Sequence, residues 1–134
     1  MHWKIKIILV TALAALTGGC ISPTSEPEFR PVIEVAELHD LMALTTPIAL
    51  IDVRPEAEYL KGHLPEAVNL WRTDLEADTL YGGMALGREL FEQKLSDLGF
   101  SAEHRFVIYD DRGGVEASRV YWMLKRCGLD GMQL

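Results

Sequence analysis

Residues Leu50–Leu70, LIDVRPEAEYLKGHLPEAVNL, decide how this chain folds. The apolar run Ile48-Ala-Leu-Ile51 predicts a strand that ends on Asp52. Glu56–Lys61 predicts a helical turn, which Gly62 stops. His63 and Pro65 then make a turn, and Ala67–Leu70 predicts a second short strand. Strand, carboxylate, helical turn, Gly-His-x-Pro and strand follow one another within one short segment.

Outward from that stretch the chain keeps alternating helices with strands. Upstream, Val35, Leu38, Leu41 and Met42 set a helical period over Val35–Leu44, ended by Thr45-Thr46-Pro47. Val32-Ile33 predicts a very short edge strand. Downstream, Trp71–Gly87 is a polar, glycine-containing connection with little periodicity. Arg88–Leu98 predicts a helix with Leu90, Phe91, Leu95 and Leu98 as its buried stripe and Gly99 as its cap. Phe106–Tyr109 is a continuous apolar run, the pattern of a strand buried on both faces. Asp110–Gly114 is a turn. Val115–Cys127 predicts a second long helix, with Ala117, Val120, Tyr121, Leu124 and Cys127 on one face and Gly128 as its cap. This order predicts an α/β domain with a mainly parallel sheet.

The combination Ile51-Asp52-Val53-Arg54, Glu58-Tyr59 and Gly62-His63-Leu64-Pro65 resembles the first half of a rhodanese domain. The resemblance covers 32–134 and implies a three-layer domain with a central, mainly parallel sheet. It implies sulfur transfer: a thiolate takes sulfur from a donor such as thiosulfate or mercaptopyruvate, becomes a persulfide, and passes the outer sulfur to an acceptor. No cofactor is implied. The family holds the cysteine on a loop between a central strand and a helix N-terminus, where backbone N–H groups and the helix dipole favour negative charge.

Here that loop is Tyr109-Asp110-Asp111-Arg112-Gly113-Gly114, and Asp110 stands at the nucleophile's position. A carboxylate is hard and forms no persulfide, so the chain alone is expected to be inactive. The family's phosphatases also need that cysteine, so their activity is excluded on the same ground. Val107-Ile108-Tyr109-Asp110 with Ala117-Ser118-Arg119-Val120-Tyr121-Trp122 is similar to the N-terminal, silent half of two-domain sulfurtransferases. That resemblance implies a C-terminal rhodanese domain of the same polypeptide as partner. The alternative is a stand-alone inactive module that binds a protein or an anion at 110–114. Gly131-Met132-Gln133-Leu134 reads as the opening of a further strand, so the expectation is a C-terminally incomplete domain.

Several side chains are candidates for the cleft. Asp110 or Asp111 is expected to accept hydrogen bonds from N–H groups at the helix start. Asp52 and His63 have two open readings, an acid–base pair beside the cleft or hydrogen bonding that holds the turn. Arg119 has three: orienting the loop, pairing with Asp52 or Asp110, or standing solvated. Arg54 and Glu58 are expected to form a local ion pair. Cys127, at a helix C-terminus on an apolar face, reads as a small buried hydrophobe, since the dipole there opposes a thiolate. Four scattered histidines without paired spacing predict no metal site.

The N-terminus reads as a targeting segment over 1–19. Lys4 and Lys6 give a basic start, Ile7–Leu16 is apolar, and Thr17-Gly18-Gly19 leads to Cys20. The pattern resembles the lipobox of bacterial lipoproteins, which implies lipidation of Cys20 and a membrane anchor. The expected location is extracytoplasmic, on the periplasmic side of the outer membrane; simple secretion is the alternative. Residues 20–31, with Pro23, Pro27 and Pro31, read as a flexible tether. The net charge of −7 makes nucleic acid a poor partner, because phosphates would be repelled. Two cysteines are too few for a disulfide framework.

Overall fold

A computed structural model describes residues 30–134. The segment read as a signal, the lipidation residue Cys20 and nearly all of the tether lie outside the described residues. The element order is α1 (Val35–Met42), β1 (Ile48–Asp52), α2 (Glu56–Tyr59), β2 (Val68–Asn69), a 3₁₀ turn (Arg72–Leu75), α3 (Arg88–Asp97), β3 (Arg105–Tyr109) and α4 (Ala117–Arg126).

The three strands run parallel in the order β2-β1-β3. Register is tight between β1 and β3, from Ile48 opposite Arg105 to Asp52 opposite Tyr109. Successive side chains of a strand point to opposite faces, and this divides the core in two. Ala49, Ile51, Val53, Phe106 and Ile108 pack with Phe91, Leu95, Val120 and Leu124 of α3 and α4. Leu50 and Val107 pack the other way, against Leu38 and Leu41 of α1 and Ala67. Helices therefore cover both faces, and the expected three-layer α/β architecture is present. Ile51, Ile108 and Leu124 are fully buried. Each such side chain contributes about 1.5–3 kcal/mol by leaving water.

Several local expectations differ. Leu90 is 63% exposed, so the inner stripe of α3 is Phe91 and Leu95 with Leu98 packed beside them. On α4, Met123 is buried while Tyr121 and Cys127 are only partly covered. Val32-Ile33 is not a strand. Its pairing is a single rung, in which Leu134 N–H donates to the Pro31 carbonyl and Ile33 N–H to the Leu134 carbonyl. Gln133 joins the other side, bridging Val107 in parallel through Gln133 N–H to Phe106 and Ile108 N–H to Gln133. The 71–87 connection is also more ordered than its composition suggests. After the 3₁₀ turn, Glu76 and Ala85 form an antiparallel bridge, and Ala77 N–H donates to the Met84 carbonyl at 2.8 Å.

Candidate active-site loop

β1 and β3 are neighbours, and each delivers a carboxylate to the same end of the sheet. In parallel α/β sheets that end is where ligands bind. Asp52 is the last residue of β1 and is wholly buried. Arg54 neutralises it. The guanidinium donates from Nε to Asp52 Oδ1 at 3.0 Å and from Nη2 to Oδ2 at 2.6 Å, and the Arg54 N–H adds a bond of 2.9 Å. Burial pushes the Asp52 carboxyl up, but these bonds outweigh it and hold the group below its ordinary range. The Asp52 carboxylate in turn raises the Arg54 pKa. Arg54 therefore pairs with Asp52 and not with Glu58, which instead binds Lys61 at 2.6 Å. A buried carboxylate needs its cation more than an exposed one does.

The same guanidinium reaches the Gly62 carbonyl at 2.8 Å and so fastens the Gly-His-x-Pro turn to the strand end. His63 lies in that turn, stacked on Tyr59 with ring centroids 3.8 Å apart. Its Nδ1 sits 3.0 Å from the Tyr59 carbonyl, which can only accept, so Nδ1 carries the hydrogen. Asp52 and His63 thus bind different partners, and no hydrogen bond joins them. The Tyr109 hydroxyl accepts from Leu64 N–H at 3.1 Å, a second tie on the turn. Burial pushes the Tyr109 phenol up to about 12.

Asp110 follows β3 and meets a different environment. Its Oδ1 accepts from the N–H groups of Arg112 (2.9 Å) and Gly114 (2.8 Å). Its Oδ2 accepts from Glu116 (2.8 Å) and Ala117 (3.1 Å). Gly113 and Gly114 have φ of +66° and +88°, a conformation that L side chains rarely adopt, and this lets the loop curl around the carboxylate. Burial raises the Asp110 carboxyl, yet the four backbone donors hold it below the usual range. All four donors are backbone groups of the loop and of the start of α4. Asp111 is exposed at the lip.

Asp110 sits between two clefts. One, of about 370 Å³, is lined by Arg54, Gly62, His63, Leu64, Tyr109, Asp110 and Asp111. The other, of about 360 Å³, involves Val32, Ile108, Gly114, Ala117 and Leu134. The structure thus brings His63, Asp110 and Asp111 to one cleft and leaves Asp52 buried behind Arg54. Arg119 pairs with neither aspartate. Its Nη2 donates to the Gly83 carbonyl at 2.8 Å, which ties α4 to the 76–85 hairpin. Arg54 and Tyr109 are the residues that sequence reasoning undervalued. Their signal was position, since each stands beside a strand-end carboxylate.

Chemically, the loop presents an ionised oxygen acid with its lone pairs engaged. Cys127 is remote from it, lining a separate cavity of about 220 Å³ with Glu92, Leu95, Phe100, Phe106 and Leu129 among its neighbours. Burial, with nearby Glu92, pushes that thiol up, away from the reactive thiolate. Among the described residues no group of three or more His, Cys, Asp or Glu side chains is placed to hold a metal ion.

The chain is 36% identical over 105 residues to a thiosulfate sulfurtransferase of Azotobacter vinelandii, covering 75% of this chain and 38% of that protein. It is 34% identical over 83 residues to a thiosulfate sulfurtransferase of Pseudomonas aeruginosa, covering 60% and 30%. The chain therefore spans well under half the length of these relatives. The crystal structure of YnjE superposes with a TM-score of 0.66 at 22% identity, over 81% of this chain and 27% of that one, a likeness of fold. The family model for the rhodanese-like domain matches residues 34–134, and the chain belongs to that family.

Proposed function

We propose that this domain is the silent N-terminal unit of a two-domain sulfurtransferase. On this reading it supports sulfur transfer from thiosulfate or mercaptopyruvate by a C-terminal rhodanese domain of the same polypeptide. The observation that carries the reading is the Asp110 carboxylate held by four backbone N–H groups. It occupies the place where the family's chemistry needs a sulfur nucleophile. Relatives named thiosulfate sulfurtransferases, more than twice the length that this chain spans, support the same view. A stand-alone module that binds an anion at 110–114 is less favoured, because Asp110 already engages the donors an anion would use.

The test is cyanide-dependent thiocyanate formation from thiosulfate by the chain itself. No turnover is expected. Turnover that persists in a Cys127→Ser protein would show the chemistry to be elsewhere in the chain. Reading the gene beyond Leu134 for a second Asp-Val-Arg and Gly-His-x-Pro unit with a strand-Cys-loop-helix tests the partner. A lipid anchor on Cys20, holding the domain by a short tether at an extracytoplasmic membrane face, completes the proposal. Labelling with a radioactive fatty acid, compared with Cys20→Ala, tests it. Label retained by the variant would move or remove the anchor.

A further inference from the structure

Glu66 holds a backbone conformation that its side chain does not favour. Its φ is +65°, and among the described residues it is the one non-glycine with a positive φ. The Ala67 N–H donates to the Leu64 carbonyl at 3.1 Å and closes the turn Leu64-Pro65-Glu66-Ala67. Proline in second place and a positive φ in third make this a type II turn, whose third place suits glycine. Strain of this kind collects where a site needs the side chain. Glu66 lines a cleft of about 270 Å³ with Met42, Leu44, Thr46, Ile48 and Leu50. The cleft lies toward the start of β1, away from Asp52, and shares no residue with the two clefts beside Asp110.

The charge of this cleft has one sign. No lysine, arginine or histidine lines it. Glu66 makes no ion pair among the described residues. α1 ends at Met42, so the cleft also receives the negative end of that helix, whose last carbonyls lack intrahelical partners. A cation therefore gains from the carboxylate and from the helix end together. The walls are apolar, and Leu44 is 61% exposed, so an apolar chain carried by that cation gains by covering it.

We propose that this cleft binds a primary ammonium group on a short alkyl chain. The ammonium lies against the Glu66 carboxylate and the last carbonyls of α1, with the Thr46 hydroxyl as a further acceptor. The alkyl chain lies over Leu44 and Ile48. The cleft is smaller than pockets for drug-sized ligands, ~300–1,000 Å³, which keeps that chain to a few carbons. The proposal stands apart from the two-domain reading, and neither decides the other.

The experiment is titration of the full chain with n-pentylammonium, followed by amide chemical shifts in NMR. Saturable shifts are expected at Leu44, Thr46, Ile48 and Ala67. n-Pentanol, which lacks the charge, is expected to bind about tenfold more weakly, and Glu66→Gln is expected to weaken pentylammonium binding by a similar factor. Glu66→Gly is expected to melt no lower than the native chain, since the turn suits glycine, and still to lose the ligand, so the loss is not one of folding. A blocked lysine, Nα-acetyl-lysine methylamide, separates the sources of the ammonium. Binding tighter than that of pentylammonium assigns it to the lysine of a protein, and weaker binding assigns it to a free amine; either upholds the site. Shifts that do not saturate, or equal affinity of the native and Glu66→Gln proteins, overturn it.

Discussion

Asp52 and Asp110 end adjacent parallel strands, one residue out of register, and are satisfied in opposite ways. Asp52 is sealed from water and takes its counter-charge from one flexible side chain, Arg54. Asp110 takes its donors from the backbone of its own loop and of the helix that follows. The first arrangement depends on two side chains that must be kept together. The second depends on loop shape, which the two left-handed glycines set. The loop's shape, and not a second side chain, is thus what meets the charge of Asp110.

The comparison can be broken most forcefully at Asp52. Asp52→Ala leaves the Arg54 guanidinium, itself largely covered, without its partner, and is expected to cost about 3–5 kcal/mol in urea unfolding. A double variant with apolar residues at both positions is expected to recover much of that loss, because no charge is then stranded. If the double variant is no better than the single one, the pair's role lies in its link to Gly62 and not in its charge.

Asp110→Ala is expected to cost about 2 kcal/mol, as for the loss of a strong helix cap. Its signature is local: amide hydrogen exchange should quicken at Gly114, Glu116 and Ala117 and stay unchanged in β1. Uniform acceleration would show that the loop is not a separate unit.

Acid sharpens the contrast further. Both carboxyls are held below their unfolded values, so on falling pH the unfolded chain binds protons first. Their stabilisation is full above the ordinary carboxylate range near 4 and is lost as pH falls through the folded values. Asp110→Ala should flatten part of that acid limb and leave the Asp52 part. An unchanged limb would show that Asp110 does not titrate with folding.

The smallest effect is expected at Tyr109, whose hydroxyl accepts from Leu64 N–H. Tyr109→Phe should cost about 1 kcal/mol by thermal unfolding. A larger loss would assign the phenol a part in holding the Asp52 end as well.

Some of this was legible in the residues. The apolar runs at 48–51 and 106–109 have no alternation, and strands buried on both faces need none. Asp110 as a helix-start acceptor could be read because the loop, its glycines and the helix are contiguous. Arg54 could not be read correctly from helix spacing, since Glu58 four residues on is the usual local partner. Leu90 fits the helical stripe of α3 on spacing alone, but at 63% exposed it stands outside the covered face. The hairpin at 76–85 was hidden in a polar segment, although Gly82-Gly83 marks its turn.

The sequence by itself determined the alternation of strands and helices, the family's fold and the oxygen acid at position 110. All of these follow from short-range periodicity and from residue chemistry that no packing can change. Tertiary structure alone decided that Arg54 serves Asp52, that His63 leans on Tyr59, and that Arg119 reaches Gly83 from 36 residues away. Which of several nearby partners an ionised side chain takes depends on which is most deprived of water, and burial is settled only when distant segments meet.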